Sequence, residues 1–252
     1  MAPPVLTSVV PSTGPVQGTN PVTLNGSQFT GATAVTFGPA AALSYTVTTP
    51  STISATVPPG NGTVNVTVRT PAGLSNAVTY TYAPAPLLSS IAPDQGPTSG
   101  GTTVVLTGSG LTGTTAVTFG GSPAASFTVN SATQITAVTP AGTGSVLCTA
   151  TGPGGTSNAV VYTYLAAPAL TALSPAQGPT DAGSTVTLTG TGLSTATAVH
   201  FGATPVSFTV VSDTTLVATA PAGPAGSVAV NATTPGGTSN SLGYLRVARP
   251  EI

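Results

Sequence analysis

The chain has almost no charge. Only 3% of its 252 residues are Asp, Glu, Lys or Arg, where an average soluble domain carries roughly 25%. Lysine is missing altogether. The cations are Arg69, Arg246 and Arg249 and the anions are Asp94, Asp181, Asp213 and Glu251, for a net charge of −1. Nucleic-acid binding needs cations to displace phosphate counterions, and these arginines cannot form a basic stripe. A polybasic membrane-binding surface is excluded for the same reason. The polar surface is left to Thr, Ser, Asn and Gly, which gives little colloidal repulsion. Such a surface is packed against neighbours, covered by sugars, or tolerant of contact.

Other absences narrow the reading further. A single cysteine makes no internal disulfide, so the redox compartment is not legible. No apolar run approaches the ~20 residues that span a bilayer, so no membrane insertion is expected. The opening Met1-Ala2-Pro3-Pro4 has neither the basic nor the apolar region of a secretory signal. With one His, no Trp and 5% aromatics, the inventory for acid–base chemistry is nearly empty. No catalytic residue, metal ligand or cofactor is expected.

What the chain does have is glycine, proline and repetition. Its 31 Gly and 25 Pro fall at fixed intervals between runs rich in Val, Thr and Phe, the punctuation of an all-β protein. Gly14, Gly96 and Gly178 are each 82 residues apart, as are Gly26, Gly108 and Gly190, Phe37, Phe119 and Phe201, and Tyr80, Tyr162 and Tyr244. The third copy drops one residue after Gly202 and regains it in the Ala222–Gly226 turn. A unit of this length suits one sandwich domain with its own core. The expected domains are 1–83, 84–165 and 166–252. They are joined by Ala83-Pro84-Ala85-Pro86 and Leu165-Ala166-Ala167-Pro168, where proline stiffens the linker into an extended rod.

Within the first copy seven strands are expected, near Leu6–Val10, Val22–Asn25, Ala34–Phe37, Ser44–Val47, Ile53–Val57, Thr63–Arg69 and Ala77–Tyr82. Period-two alternation puts Val22 and Leu24, Val35 and Phe37, and Val64, Val66 and Val68 on the core face, with their counterparts in the other copies. Copy two then reads Ala92-Pro93-Asp94-Gln95-Gly96-Pro97-Thr98-Ser99-Gly100-Gly101-Thr102, Val104-Val105-Leu106-Thr107-Gly108, Val117-Thr118-Phe119-Gly120 and Tyr162-Thr163-Tyr164. Copy three has Ser174-Pro175-Ala176-Gln177-Gly178-Pro179. Copy one departs at Gly18-Thr19-Asn20-Pro21, where the second glycine is missing. This series resembles the IPT/TIG domain, the immunoglobulin-like fold of plexins, Rel-type transcription factors and many bacterial surface proteins. The resemblance covers nearly the whole chain and implies three tandem immunoglobulin-like β-sandwiches. Fold alone does not set function.

Single residues add little chemistry. His200 lies between inward Val199 and Phe201, so it points out of the core, with no acid near it in sequence. Cys148 stands where the other copies have Val66 and Val230 and reads as a buried hydrophobe. Asp94, Asp181 and Asp213 fall in turns at non-equivalent positions, which suits backbone capping better than a calcium site. Asn25, Asn61, Asn65 and Asn231 open N-glycosylation sequons, a frequent chance match in a Thr-rich chain. The Ala, Gly, Thr and Pro bias is that of a high-GC bacterium. Tyr80, Tyr162 and Tyr244 recur with the fold and read as core; Tyr82, Tyr164 and, in their place, Arg246 are expected nearer the surface.

The reading is a non-catalytic structural or adhesive protein, extracellular or on a cell surface: a rod that assembles as a fibre subunit or decorates a surface. Its partners would be copies of itself or another surface protein, with a glycan or receptor as the alternative. The expected assembly contacts are Met1, Pro3 and Pro4 at one end and Arg246, Arg249, Pro250, Glu251 and Ile252 at the other. Arg249-Pro250-Glu251-Ile252 aligns in register with the joint Ala167-Pro168-Ala169-Leu170, as though another domain were beginning.

Overall fold

The structure, a computed structural model, describes residues 2–181 and 183–248. Strand is the only regular structure among them, in the same order three times over. The first unit runs β1 (Val5–Val10), β2 (Thr13–Pro15), β3 (Pro21–Ser27), β4 (Ala34–Phe37), β5 (Ala40–Ala41), β6 (Ser44–Thr49), β7 (Thr52–Thr56), β8 (Gly62–Thr70), β9 (Gly73–Leu74) and β10 (Val78–Ala83). One sheet has the order β1-β3-β7-β6. The other has the order β2-β10-β8-β4-β5, with β9 on β8. Units two and three repeat both sheets, so the chain is all-β with three immunoglobulin-like sandwiches in tandem.

The alternation read from the sequence explains the sandwich. Val22 and Leu24 from one sheet and Val35, Phe37, Val66 and Val68 from the other are buried, and Val64 is half-buried. Each pair of inner faces closes on its own core. Every core holds an edge-on aromatic pair: Phe37 on Tyr80 at 5.3 Å, Phe119 on Tyr162 at 5.5 Å, and Phe201 on Tyr244 at 5.4 Å between ring centroids.

The three short strands went unseen in the sequence. The Gly-Pro of β2 reads as a turn, yet Thr13–Pro15 pairs parallel with Thr81–Ala83. The same parallel pairing joins Gln95–Pro97 to Thr163–Leu165 and Gln177–Pro179 to Leu245–Val247. The repeated glycine here makes room. A Cβ on Gly14, Gly96 or Gly178 would collide with the hydroxyl of Tyr80, Tyr162 or Tyr244. Two of the 82-residue series are therefore one contact.

Copy one's missing glycine has a local cost. Gly100 and Gly101 both take positive φ, 72° and 82°. In the first unit Thr19 must take that second conformation, at φ 67°, a region that a β-branched residue enters only under strain. The backbone demands it, because the Thr19 N–H donates to Val57 O just as Gly101 N–H donates to Thr139 O.

Candidate functional site

Each unit ties its first strand down with a side chain. Asn76 accepts from the Leu6 N–H at 2.9 Å and donates to the Leu6 carbonyl at 2.8 Å. Asn158 does the same to Leu88 and Asn240 to Leu170. The preceding Ser75, Ser157 and Ser239 accept from the backbone N–H of Val68, Ala150 and Ala232. These pairs were not singled out in the sequence, although Ser-Asn recurs with the period of the repeat.

The residues that chemistry would use are dispersed. His200 is half-buried on the outer face of its sheet, opposite Asn231. Cys148 is fully buried in the second core, and burial pushes its thiol pKa up to about 12. No three of His, Cys, Asp and Glu come together among the described residues. Asp213 is a cap: Ser194 Oγ donates to it at 2.8 Å, and the Gly192 and Ser194 N–H groups donate at 3.3 and 3.4 Å. Those bonds, led by the Ser194 hydroxyl, hold its carboxyl below the usual carboxylate range. No helix is long and apolar enough to cross a membrane among the described residues.

One expectation is corrected. Tyr82 and Tyr164 are buried, and Arg246 is buried with them. Tyr82 lies two residues beyond Tyr80, on the same inward face, and its ring covers Gly60 while its hydroxyl donates to Pro58 O at 2.9 Å. Tyr164 repeats this against Gly142 and Pro140 O. Arg246 lies over Gly223 in the same place, with no hydrogen-bond partner for Nε among the described residues.

The joints and unit ends are where the molecule offers surfaces. At the first joint the Pro84 carbonyl passes so close to Gly154 that a Cβ there would collide with it. Ala166 passes Gly236 in the same way at the second joint. A cleft beside the first joint is lined by Val9–Pro15 and Asn20 of one unit and by Thr115, Gly152 and Pro153 of the next. A second cleft sets Gln95, Leu165 and Ala166 against Ser194, Asp213 and Thr234. A third, of about 560 Å³, opens at the leading end of the first unit.

Of the expected assembly contacts, Pro3 is exposed, whereas Pro4 is buried within its own unit, as is Arg246. Met1, Arg249, Pro250, Glu251 and Ile252 lie outside the described residues.

No curated protein sequence matches the chain. Among solved structures, the extracellular region of plexin A4 is similar at 22% identity and a TM-score of 0.48, over 87% of this chain and 21% of plexin. FdeC, an Escherichia coli adhesin, is similar at 19% identity and a TM-score of 0.35, over 98% of this chain and 97% of the adhesin. SGBP-B of the Bacteroides ovatus mixed-linkage glucan utilization locus, solved with a mixed-linkage heptasaccharide, is similar at 20% identity and a TM-score of 0.31, over 85% of this chain and 61% of its own. The model of the IPT/TIG domain matches residues 4–82, 86–164 and 168–246, and with nearly every residue so accounted for, the chain belongs to the IPT/TIG family, in three tandem copies.

Proposed function

We propose that the chain is a non-catalytic structural and adhesive module, a stiff spacer of three units that decorates an extracellular surface. The observation that carries this reading is the joint. Gly154 and Gly236 have given up their side chains to let the Pro84 and Ala166 carbonyls pack against them, and the same contact is made twice at the same place in the repeat. A flexible string of domains would have no use for such a seat. The near-uncharged surface suits a protein that works by contact and extension.

The fibre form of this reading would need copies to meet end to end as the units meet within the chain. Ala72 stands where Gly154 and Gly236 stand, so the first unit lacks the glycine over which the joint carbonyls pack, and its front seat already holds Pro3 beside Gly73. We therefore adopt surface decoration over the end-to-end fibre.

The experiment is small-angle scattering on the full chain and on Gly154→Ala. Strands of six or seven residues with their loops give each unit roughly 35–40 Å, so a stiff spacer has a largest dimension on the order of 110 Å. The added Cβ at Gly154 should re-angle or loosen the first joint and change the scattering curve while the circular dichroism spectrum stays the same. A full chain that scatters as a freely jointed string, or a variant with an unchanged curve, would sink the spacer reading.

A further inference from the structure

The last strand of each unit turns two large residues inward, and the copies treat them differently. In the first unit both hydroxyls are bonded, Tyr80 to the Asn20 amide and Tyr82 to the Pro58 carbonyl. In the second, Tyr164 keeps the equivalent bond to Pro140 O at 2.8 Å, but the Tyr162 hydroxyl is buried without a partner among the described residues. In the third, neither position is satisfied. Tyr244 has the same buried, unbonded hydroxyl, and Arg246 replaces the second tyrosine with its Nε buried and lacking an acceptor among the described residues. Among the described residues, the buried unsatisfied groups on this strand thus rise from none to one to two along the chain.

Packing follows the same gradient. Tyr82 and Tyr164 meet Tyr80 and Tyr162 edge-on, at 5.1 and 5.0 Å between ring centroids. Arg246 supplies no ring, so the third unit keeps only the pair of Phe201 and Tyr244. The Arg246 side chain is 8% exposed and lies over Gly223. A buried polar group left without its hydrogen bonds weakens the structure that holds it. Arg246 is also part of the parallel pairing: it sits opposite Gly178, as Tyr82 and Tyr164 sit opposite Gly14 and Gly96. Gly14 and Gly96 are buried there, whereas Gly178 is half-buried. The Asp213 cap that steadies the third unit lies elsewhere, beside Gly192 and Pro168, where the chain enters.

We propose that the pairing of Gln177–Pro179 with Leu242–Val247 is the release point of the chain: the last strand opens first in the third unit, next in the second and last in the first. Opening lets water bond the Arg246 Nε and the Tyr244 hydroxyl. Tyr80 and Tyr82 gain nothing comparable, because their bonds are already made. One unsatisfied buried polar group shifts such an equilibrium by roughly tenfold. Local openings of this kind cost less than global unfolding and are drawn from the least satisfied parts of a structure. A chain under load or heat then gives way in one unit while the other two keep their form. The inference goes beyond the spacer role, which rests on the joints; units that open in any order would leave that role standing.

The test uses the full chain, labelled with nitrogen-15, and reads amide exchange at equivalent donors of the parallel pairing. These are the Thr81 N–H to Ser12 O, the Thr163 N–H to Asp94 O and the Leu245 N–H to Ala176 O. After correction for intrinsic rates, Leu245 should be roughly tenfold or more less protected than Thr81, with Thr163 between them. Arg246→Tyr restores the residue of the other copies and should raise protection at Leu245 about tenfold, leaving Thr81 and Thr163 unmoved. Arg246→Met removes the polar group without offering a hydroxyl and should raise it too. The reciprocal Tyr164→Arg should bring Thr163 down to the level of Leu245 in the unaltered chain. If Tyr164→Arg fails to fold, the two Arg246 variants decide. Equal protection at Leu245 and Thr81 would overturn the proposal. So would Arg246→Met lowering protection at Leu245 or leaving it unchanged, because the guanidinium would then be holding the strand or doing nothing to it.

Discussion

Removing one hydroxyl from each of three equivalent tyrosines should give opposite results in different units. Tyr80, Tyr162 and Tyr244 are all fully buried. Among the described residues only the Tyr80 hydroxyl has a partner: the Asn20 amide donates to its oxygen at 3.0 Å, and the hydroxyl reaches Asn20 Oδ1 at 3.2 Å. Asn20 sits where the other units have Thr102 and Ser184. The hydroxyls of Tyr162 and Tyr244 have no hydrogen-bond partner among the described residues. A neutral hydrogen bond is worth about 0.5–1.5 kcal/mol net, and an unpaired buried polar group costs about 1–3 kcal/mol. Tyr80→Phe forfeits the bond and strands a half-buried amide, so the first unit should lose about 1–2 kcal/mol. Tyr162→Phe removes an unsatisfied group and leaves a gap of one oxygen atom, so the second unit should gain about 1 kcal/mol. Native-state hydrogen exchange followed by mass spectrometry separates the units within the intact chain. Amides of Thr63–Val68 should exchange about tenfold faster in Tyr80→Phe, because 1.4 kcal/mol is a factor of ten. Those of Ser145–Ala150 should slow in Tyr162→Phe. If Tyr162→Phe destabilises its unit as much as Tyr80→Phe does, the reasoning from unpaired hydroxyls is wrong.

Three other outcomes are expected. Asn158→Ala leaves both backbone groups of Leu88 unpaired and should destabilise the second unit by about 2–3 kcal/mol, read as a lower urea midpoint for its exchange-protected amides; an unchanged midpoint would show the strap to be incidental. Thr19→Gly relieves a positive φ on a β-branched residue and should stabilise the first unit by about 1 kcal/mol, whereas a loss would mean that the Thr19 hydroxyl bond to Gly18 O outweighs the strain. Cys148 should resist maleimide in the folded chain and react on unfolding. Its folded pKa is raised from 9.0 to about 12, so the unfolded chain ionises first and stability is full below pH 9 and declines as pH rises toward 12. Second-unit melts at increasing alkaline pH that fall no faster for wild type than for Cys148→Val would refute this.

Much of the fold was legible because its signal is doubled, once by alternation and again by the 82-residue period. Val22 and Leu24 face the core by either criterion, and so do Val66 and Val68. The misses share a cause: each depends on what a residue meets across space. The three-residue β2 is a strand only because β10 lies alongside it. Tyr82 is buried because Gly60 makes room for its ring and Pro58 supplies an acceptor. Gly154 and Gly236 look like turn glycines until the joint carbonyls are placed over them. Phe29, Leu111 and Leu193 are fully buried from a loop rather than a strand, so strand alternation could not reveal them, though their spacing could have.

The parallel pairing of the second strand with the last has a mechanical consequence. Chain enters each unit ahead of β2 and leaves it after β10, or after the equivalents of these strands. Tension applied along the tandem therefore pulls the two strands in opposite directions along their common axis. Their hydrogen bonds, Thr13–Pro15 against Thr81–Ala83 in the first unit, are loaded together in shear and cannot be unzipped one at a time. The Asn76 strap on Leu6 lies on the same loaded path, with both of its bonds on a single residue of the first strand. Each sandwich thus has a lock at the point where force would enter, and the second and third units repeat it.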